Sequence, residues 1–570
     1  MQSGKTVGWL LVAVDSHYIH EKISELFYDI LVVLAVSLLL TFELLLLIMT
    51  TSSTSMLGRP VGSTRNQETL RFEPRDDGSD FAGELLSLSR PTPNTAPVAG
   101  ASLGDAAAAL DALRAKDATM TMMAGLVRVR LPLFVFFFAE ELSRPFFPIF
   151  VSSLDLSFEG LSPEVIVSLP MMLFMLVVAF AQPLGGSWME RFGARRLMLA
   201  GAIVGASGLA LTATAENLIT LLAWRFITAA GYGFVFVAGQ GHVVAHTHAG
   251  NRAWGLAMFV GSVLAASICG PAIGGMLADR IGYRWTFAVG SSMAVLAALL
   301  AWRLLRTAEE SPGPRRRPLR FRDAGAVLRN PRFLALISLG AMPAKIILTG
   351  FLYYLAPLYL AHLGNSQSAT GRIMMVYGLM MVLMTPLAAR TADRVGRPML
   401  FVVLGGLFSG IGLLGVLWSA KTEIVLLGIV VLGLAQAMSI TPQLSLVPVA
   451  CPDECKAIGQ VTVIGFFRLF ERIGSALGPL LAAFLLRTFD YVSAIVAIGC
   501  GVGISSILLG LAWRFSAGRQ KEPPDYAGNS ALTKKLGAVR LAALSRRTRM
   551  RSRSYRRLKR YCAWARERGT

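Results

Sequence analysis

From residue 131 to residue 514 the chain is a succession of long apolar runs separated by short polar connections. Each run is long enough to span a bilayer core as a helix, which takes about 20 residues. The twelve runs are Leu131–Ser152, Pro163–Pro183, Leu197–Ala215, Ile219–Gly239, Ala253–Ala278, Trp285–Leu305, Phe333–Ala361, Ile373–Arg390, Pro398–Ala420, Ile424–Val447, Gln460–Leu486 and Val492–Arg514. The longest connection, residues 306–332, divides them six and six. A further run, Asp29–Thr50 (DILVVLAVSLLLTFELLLLIMT), stands ahead of them and would reach about 33 Å as a helix. The pattern predicts an all-α polytopic membrane protein: two six-helix halves, 131–305 and 333–514, plus one extra N-terminal transmembrane helix, 29–50.

Composition agrees. The chain is 54% hydrophobic and only 16% charged, too little polar surface for a soluble protein of 570 residues. The net charge of +21 is uneven. Arg191, Arg195 and Arg196 lie between runs two and three, Arg315, Arg316, Arg317, Arg320 and Arg322 in the central loop 306–332, and Arg390, Arg394 and Arg397 between runs eight and nine. Connections one–two and three–four carry Asp155, Glu159, Glu164 and Glu216 and no base. Basic loops stay in the cytoplasm, so both ends of the twelve-helix unit are expected there, in a bacterial inner membrane. The extra helix then puts Met1 outside. After Trp513, 17 Lys and Arg stand against three acids. This basic tail, 515–570, serves either as a dock on anionic lipid or only as a topological anchor; a nucleic-acid partner is not expected.

Residues 1–28 have no span and no signal-peptide pattern. Residues 51–125 turn rich in Ser, Thr, Pro and Gly, with two short amphipathic stretches, Asp80–Ser89 and Asp105–Asp117, around a linker. One spanning helix followed by two such stretches resembles a HAMP module, and residues 1–28 look like the remnant of an extracytoplasmic sensor domain. That resemblance implies signal transduction and a dimer formed through 51–125; a disordered linker fits the composition as well.

The motifs carry a second resemblance. Between runs two and three stands Gly186-Ser-Trp-Met-Glu190-Arg191-Phe-Gly193-Ala-Arg195-Arg196, and after run eight Ala389-Arg-Thr-Ala-Asp393-Arg394-Val-Gly396-Arg397. A charged turn is common; its duplication at equivalent places in two halves is not. Within run five, Gly261, Gly270, Pro271, Gly274 and Gly275 combine a helix-breaking proline with positions at which two helices can approach closely. Together these resemble the gating loops and antiporter signature of the major facilitator superfamily, from about Leu131 to Trp513. The departures are Glu190 for Asp, Ala194 for a base and Ala389 for Gly. The resemblance implies the major facilitator fold, alternating access, and a cavity lined by runs one, four, seven and ten. Run ten offers Gln436 and Gln443 to it.

Ionisable groups inside spans are costly and mark function. Run one holds Glu140 and Glu141, with Arg144 one turn on; Pro145 and Pro148 free backbone carbonyls near the same depth, as expected of a helix that lines a cavity and bends. A carboxylate in low dielectric gains proton affinity, and a paired arginine opposes that gain. Glu141 is therefore read as the proton carrier and Glu140 as the partner of Arg144. Arg225 in run four either has a buried partner or snorkels to the interface. Lys345 lies in run seven, and Arg468, Glu471 and Arg472 in run eleven, where Glu471 can reach Arg468 and leave Arg472 to another group.

There is no phosphate-cradling loop and no nucleophile motif. No enzyme activity, no cofactor and no metal site are expected; the His242, His246 and His248 cluster reads as a polar helix end. The expectation is a secondary transporter that moves protons and a small organic solute, in the direction of efflux. A signal-regulated transporter or receptor and an uptake symporter are the alternatives.

Overall fold

The computed structural model describes residues 23–34, 36–37, 128–154, 160–247, 252–305, 325 and 327–517, and among them there is no β-strand. Most of the extra span with Glu43, the HAMP-like segment, His248, the charged part of the central loop and the basic tail lie outside the described residues. Chain contacts separate Met1–Gly510 from Leu511–Thr570, and everything that follows concerns the first unit.

Residues 23–34 and 36–37 form helix α1, the start of the extra run. Among the described residues, eleven helices are long and apolar enough to cross a membrane. They are α4 (Pro163–Phe192), α5 (Ala194–Ala213), α6 (Leu218–Ala245), α7 (Arg252–Ile281), α8 (Tyr283–Leu304), α9 (Pro331–His362), α10 (Gln367–Val395), α11 (Pro398–Leu414), α12 (Thr422–Ala450), α14 (Gln460–Thr488) and α15 (Tyr491–Ala517). A short helix, α13 (Pro452–Ile458), joins α12 to α14.

The first of the twelve runs is not one helix. It is α2, residues 128–141, then a turn over residues 142–146, then α3 (Phe147–Ser152). Pro145 has no N–H to continue the α-helical ladder. The turn is closed instead by tighter bonds, from Ser143 N–H to the Glu140 carbonyl at 3.4 Å and from Arg144 N–H to the Glu141 carbonyl at 3.2 Å. Its counterpart in the second half, α9, is irregular at the same place. Two π-helical stretches, Leu336–Ala341 and Ile347–Leu355, flank the α-helical Met342–Ile346 that carries Lys345. Such widened turns re-aim side chains and gather at functional sites. By contrast α7 runs unbroken through Gly270-Pro271, where the sequence predicts a break.

Glycine is required where the two duplicated charged loops turn. Gly193 (φ +81°) separates α4 from α5, and Gly396 (φ +66°) ends α10, both in a region that side chains disfavour. Helix starts are capped by side chains: Asn217 and Thr220 cap α6 reciprocally, and the Ser366 hydroxyl accepts from the Ala369 N–H of α10. The two halves meet along α7–α10 and α4–α14. Outward faces are apolar and exposed, with Ile203, Phe226, Trp285, Phe408 and Ile504 on them, as lipid contact demands.

Candidate functional site

The broken first span presents its carboxylates to the bundle centre. Glu140 and Glu141 are both buried, yet they pair differently from the expectation. Arg144 binds Glu141, from Nε at 3.2 Å and Nη2 at 3.4 Å. Glu140 instead accepts from Arg225 Nη2 on α6 at 2.9 Å. The assignment of Glu140 to Arg144 is thereby corrected. In the turn the side chain three residues back, and not the one four residues back, bonds Arg144. The same contact decides between the two readings of Arg225: its side chain is 4% exposed and partnered, not snorkelling.

Aromatic rings complete both pairs. The Arg225 guanidinium lies between Phe147 at 4.5 Å and Phe174 at 4.4 Å, and that of Arg144 lies 4.6 Å from the centre of the Tyr353 ring on α9. Glu140 Oε2 and Arg225 Nε and Nη1 are buried with no hydrogen-bond partner. Arg144, Arg225, Phe147, Phe174, Tyr353 and Thr349 line a small pocket between the halves. Met171 and Met175 line it too, although the methionine run of α4 reads in sequence as core or lipid-facing.

A second charged group stands on α14. Glu471 accepts from Arg468 Nη1 at 2.8 Å, as the spacing predicts, and also lies 3.6 Å from Lys345 Nζ on α9. Arg472 stacks over Phe236 of α6 at 5.5 Å. Gln436 donates to the Ala344 carbonyl at 2.9 Å, next to Lys345. Gln443 does not join this cavity. With Ser409, Ser439 and Ser506 it lines a separate small pocket inside the second half, because α12 turns that face toward α11 and α15.

The glycines of α7 seat this machinery. A methyl on Gly270 would lie 2.3 Å from Glu141 Cβ, and one on Gly274 would lie 1.8 Å from the Leu142 carbonyl oxygen. Gly275 faces the Gln367 carbonyl of α10 across the two halves, at 2.1 Å on the same measure. Pro271 presents its carbonyl to Gly371. Gly261 is the exception: a methyl there would reach nothing closer than Arg130, so it holds no close crossing.

The end of the bundle opposite the basic connections is sealed. The Asp279 carboxylate accepts from the N–H groups of Gln367 at 3.1 Å and Ser368 at 2.7 Å, at the start of α10, and from the Ser368 hydroxyl at 2.7 Å. Tyr354 donates to the Glu164 carbonyl at 2.7 Å. Each contact joins one half to the other, and neither was singled out in sequence. At the basic end, Arg195 donates to the Trp302 carbonyl at 2.7 Å and ties α5 to α8. Glu190, Arg191, Arg196, Asp393, Arg394 and Arg397 are exposed, and Gly186 makes no close approach. His242 and His246 stack at 4.0 Å, and His246 Nδ1 lies 2.8 Å from the His242 carbonyl. No group of three ligand-type side chains comes together among the described residues.

The Major Facilitator Superfamily model matches residues 132–462 and 357–558. Multidrug resistance protein MdtG of Salmonella heidelberg (strain SL476) is 23% identical over 370 residues, 64% of this chain and 89% of that protein. MdtG of Rahnella sp. (strain Y9602) is 24% identical over 371 residues, 63% and 87%. Among solved structures, a bacterial homolog of the human lysosomal transporter Spinster superposes with a TM-score of 0.59 at 16% identity, covering 70% of this chain and 99% of that one. The peptide transporter POT does so with a TM-score of 0.56, also at 16%, covering 68% and 94%. A family model that covers most of the twelve-helix unit, on a fold with these neighbours, makes this chain a member of the Major Facilitator Superfamily, an integral membrane transporter.

Proposed function

We propose that the protein is a proton-coupled exporter of a small organic solute, working by alternating access in a bacterial inner membrane with its basic loops and C-terminus in the cytoplasm. One observation carries the coupling: Glu141 is paired with Arg144, and Arg144 lines the pocket between the halves. A proton on the Glu141 carboxylate neutralises it and weakens both contacts with Arg144. The guanidinium is then free to move, and the pocket changes charge. A solute that docks a donor or a positive group on the Glu141 carboxylate is expelled when the proton arrives, which is exchange. Glu140, clamped to Arg225, fixes the turn on which Glu141 sits. The direction of transport rests on the α7 signature and on the relatives named for multidrug resistance.

One feature favours a second reading. Arg144, Arg225, Lys345, Arg468 and Arg472 face only three carboxylates, Glu140, Glu141 and Glu471. An anionic solute would gain Arg144 when Glu141 is protonated, so proton and anion would move together, as in uptake. Energised everted vesicles challenged with cationic, anionic and neutral solutes separate the two. Exchange releases protons from the acidified lumen when solute is added; co-transport drives protons further in. Silence toward every solute, with folded protein present, contradicts both.

A further inference from the structure

Helix α1 lies outside the twelve-helix unit, and what it touches is specific. Asp29 sits with one carboxylate oxygen 3.6 Å from Arg280, at the end of α7, and the other bonded to Arg372 on α10. Arg280 belongs to the first half and Arg372 to the second. Tyr28 stands under the Arg372 guanidinium, 5.9 Å from its ring centre, and the Ser366 hydroxyl donates to Glu25 at 3.4 Å. Below these, Val32 and Val36 are buried against Ile268, Cys269, Ala272 and Met276 of α7, with Met375 of α10 packed alongside. The helix therefore lies along the seam between the halves, at the end sealed by Asp279.

We infer that α1 is a latch on the extracytoplasmic seal, with Asp29 as its bolt. Two arginines, one on each half, face each other across a seam that must part when the cavity opens outward. Without Asp29 they repel; with it, each is attracted to the same carboxylate. Parting the halves forces Asp29 to release one of them and strips Val32 and Val36 of part of their cover. The contact thus counts only in the outside-closed form and shifts the equilibrium toward it by its own free energy. Asp29 is mostly buried and Arg372 is 15% exposed, so water screens that arm less than a surface pair, whereas Arg280 is 62% exposed and its arm is screened more. The inference rests on the seam geometry and on alternating access, not on the identity of the solute or the coupling ion.

The test is a distance across the outer end of the full-length chain in lipid nanodiscs. With the native cysteines replaced, spin labels at Ile219 in the first half and Trp418 in the second, both exposed, report the separation of the halves. D29N should raise the ratio of outward-open to outward-closed molecules about three- to fivefold, the effect of losing up to about 1 kcal/mol of charge interaction. The triple charge reversal D29R/R280E/R372E, which restores attraction with the signs exchanged, should bring the distribution back. An unchanged distribution in D29N overturns the latch. So does a shift that the triple reversal leaves in place, since it would come from loss of structure and not from the bridge.

Discussion

The Glu140–Arg225 contact sets the terms for every substitution in the first span. Both groups are buried, and each neutralises the other. Removing either partner leaves an uncompensated charge, at a cost of about 3–5 kcal/mol. E140A and R225A should each lower the thermal midpoint of the purified protein markedly, whereas E140Q/R225M, which removes both charges, should cost much less than the sum. Equal or additive losses would mean that the two side chains do not form a unit. That partnership was not legible in the sequence. Spacing within a helix offered Arg144 to both acids, and only the turn forced by Pro145 turns Glu141 toward it and leaves Glu140 for a helix 85 residues away. The charged residues themselves were legible, because a charge inside an apolar run is conspicuous. The aromatic faces of Phe147, Phe174 and Tyr353 were not, since aromatics are ordinary in such runs.

Among the helices, α7 and the first span behave as one fitted pair. Gly270 and Gly274 lie where the chain at Glu141 and Leu142 comes closest, and the atoms met there are backbone or Cβ, with little freedom to give way. G270A and G274A should therefore abolish solute-driven proton movement even where folded protein is recovered, while G261A, which meets only open space, should leave it intact. Loss in G261A equal to that in G270A would show that the signature acts through something other than close packing. The run of glycines and Pro271 was readable, and so was the expectation of a tight crossing; which element fills the crossing was not. Of the two places where prolines lead one to expect a bend, only the first span has it. Pro271 sits in an unbroken α7, while Pro145, together with the facing glycines, breaks the first span. The π-helical turns around Lys345 have no sequence signature of their own. P145A should restore an N–H to the ladder, draw the turn toward regular helix and slow turnover without unfolding the protein, measured as initial rates at matched expression.

Among the described residues the bundle has the seal at one end and the exposed charges of the duplicated loops at the other. Six-and-six symmetry, the span count and the basic loops could be read from residue order, because the bilayer imposes one length and one polarity on every span. The closed seam could not: Asp279, Tyr354 and Asp29 act through groups on the other half, and nothing in their local sequence marks those partners. In the proposed mechanism one cavity carries the solute while Glu141 carries the proton. Proteoliposomes test this most directly, by comparing two activities of E141Q with a solute found in the vesicle panel: exchange of labelled for unlabelled solute, and accumulation driven by a proton gradient. In that mechanism E141Q stands in for the protonated carboxylate that releases the solute, so solute exchange should fall through weakened binding and proton-driven accumulation should be lost. Full proton-driven accumulation in E141Q would contradict it.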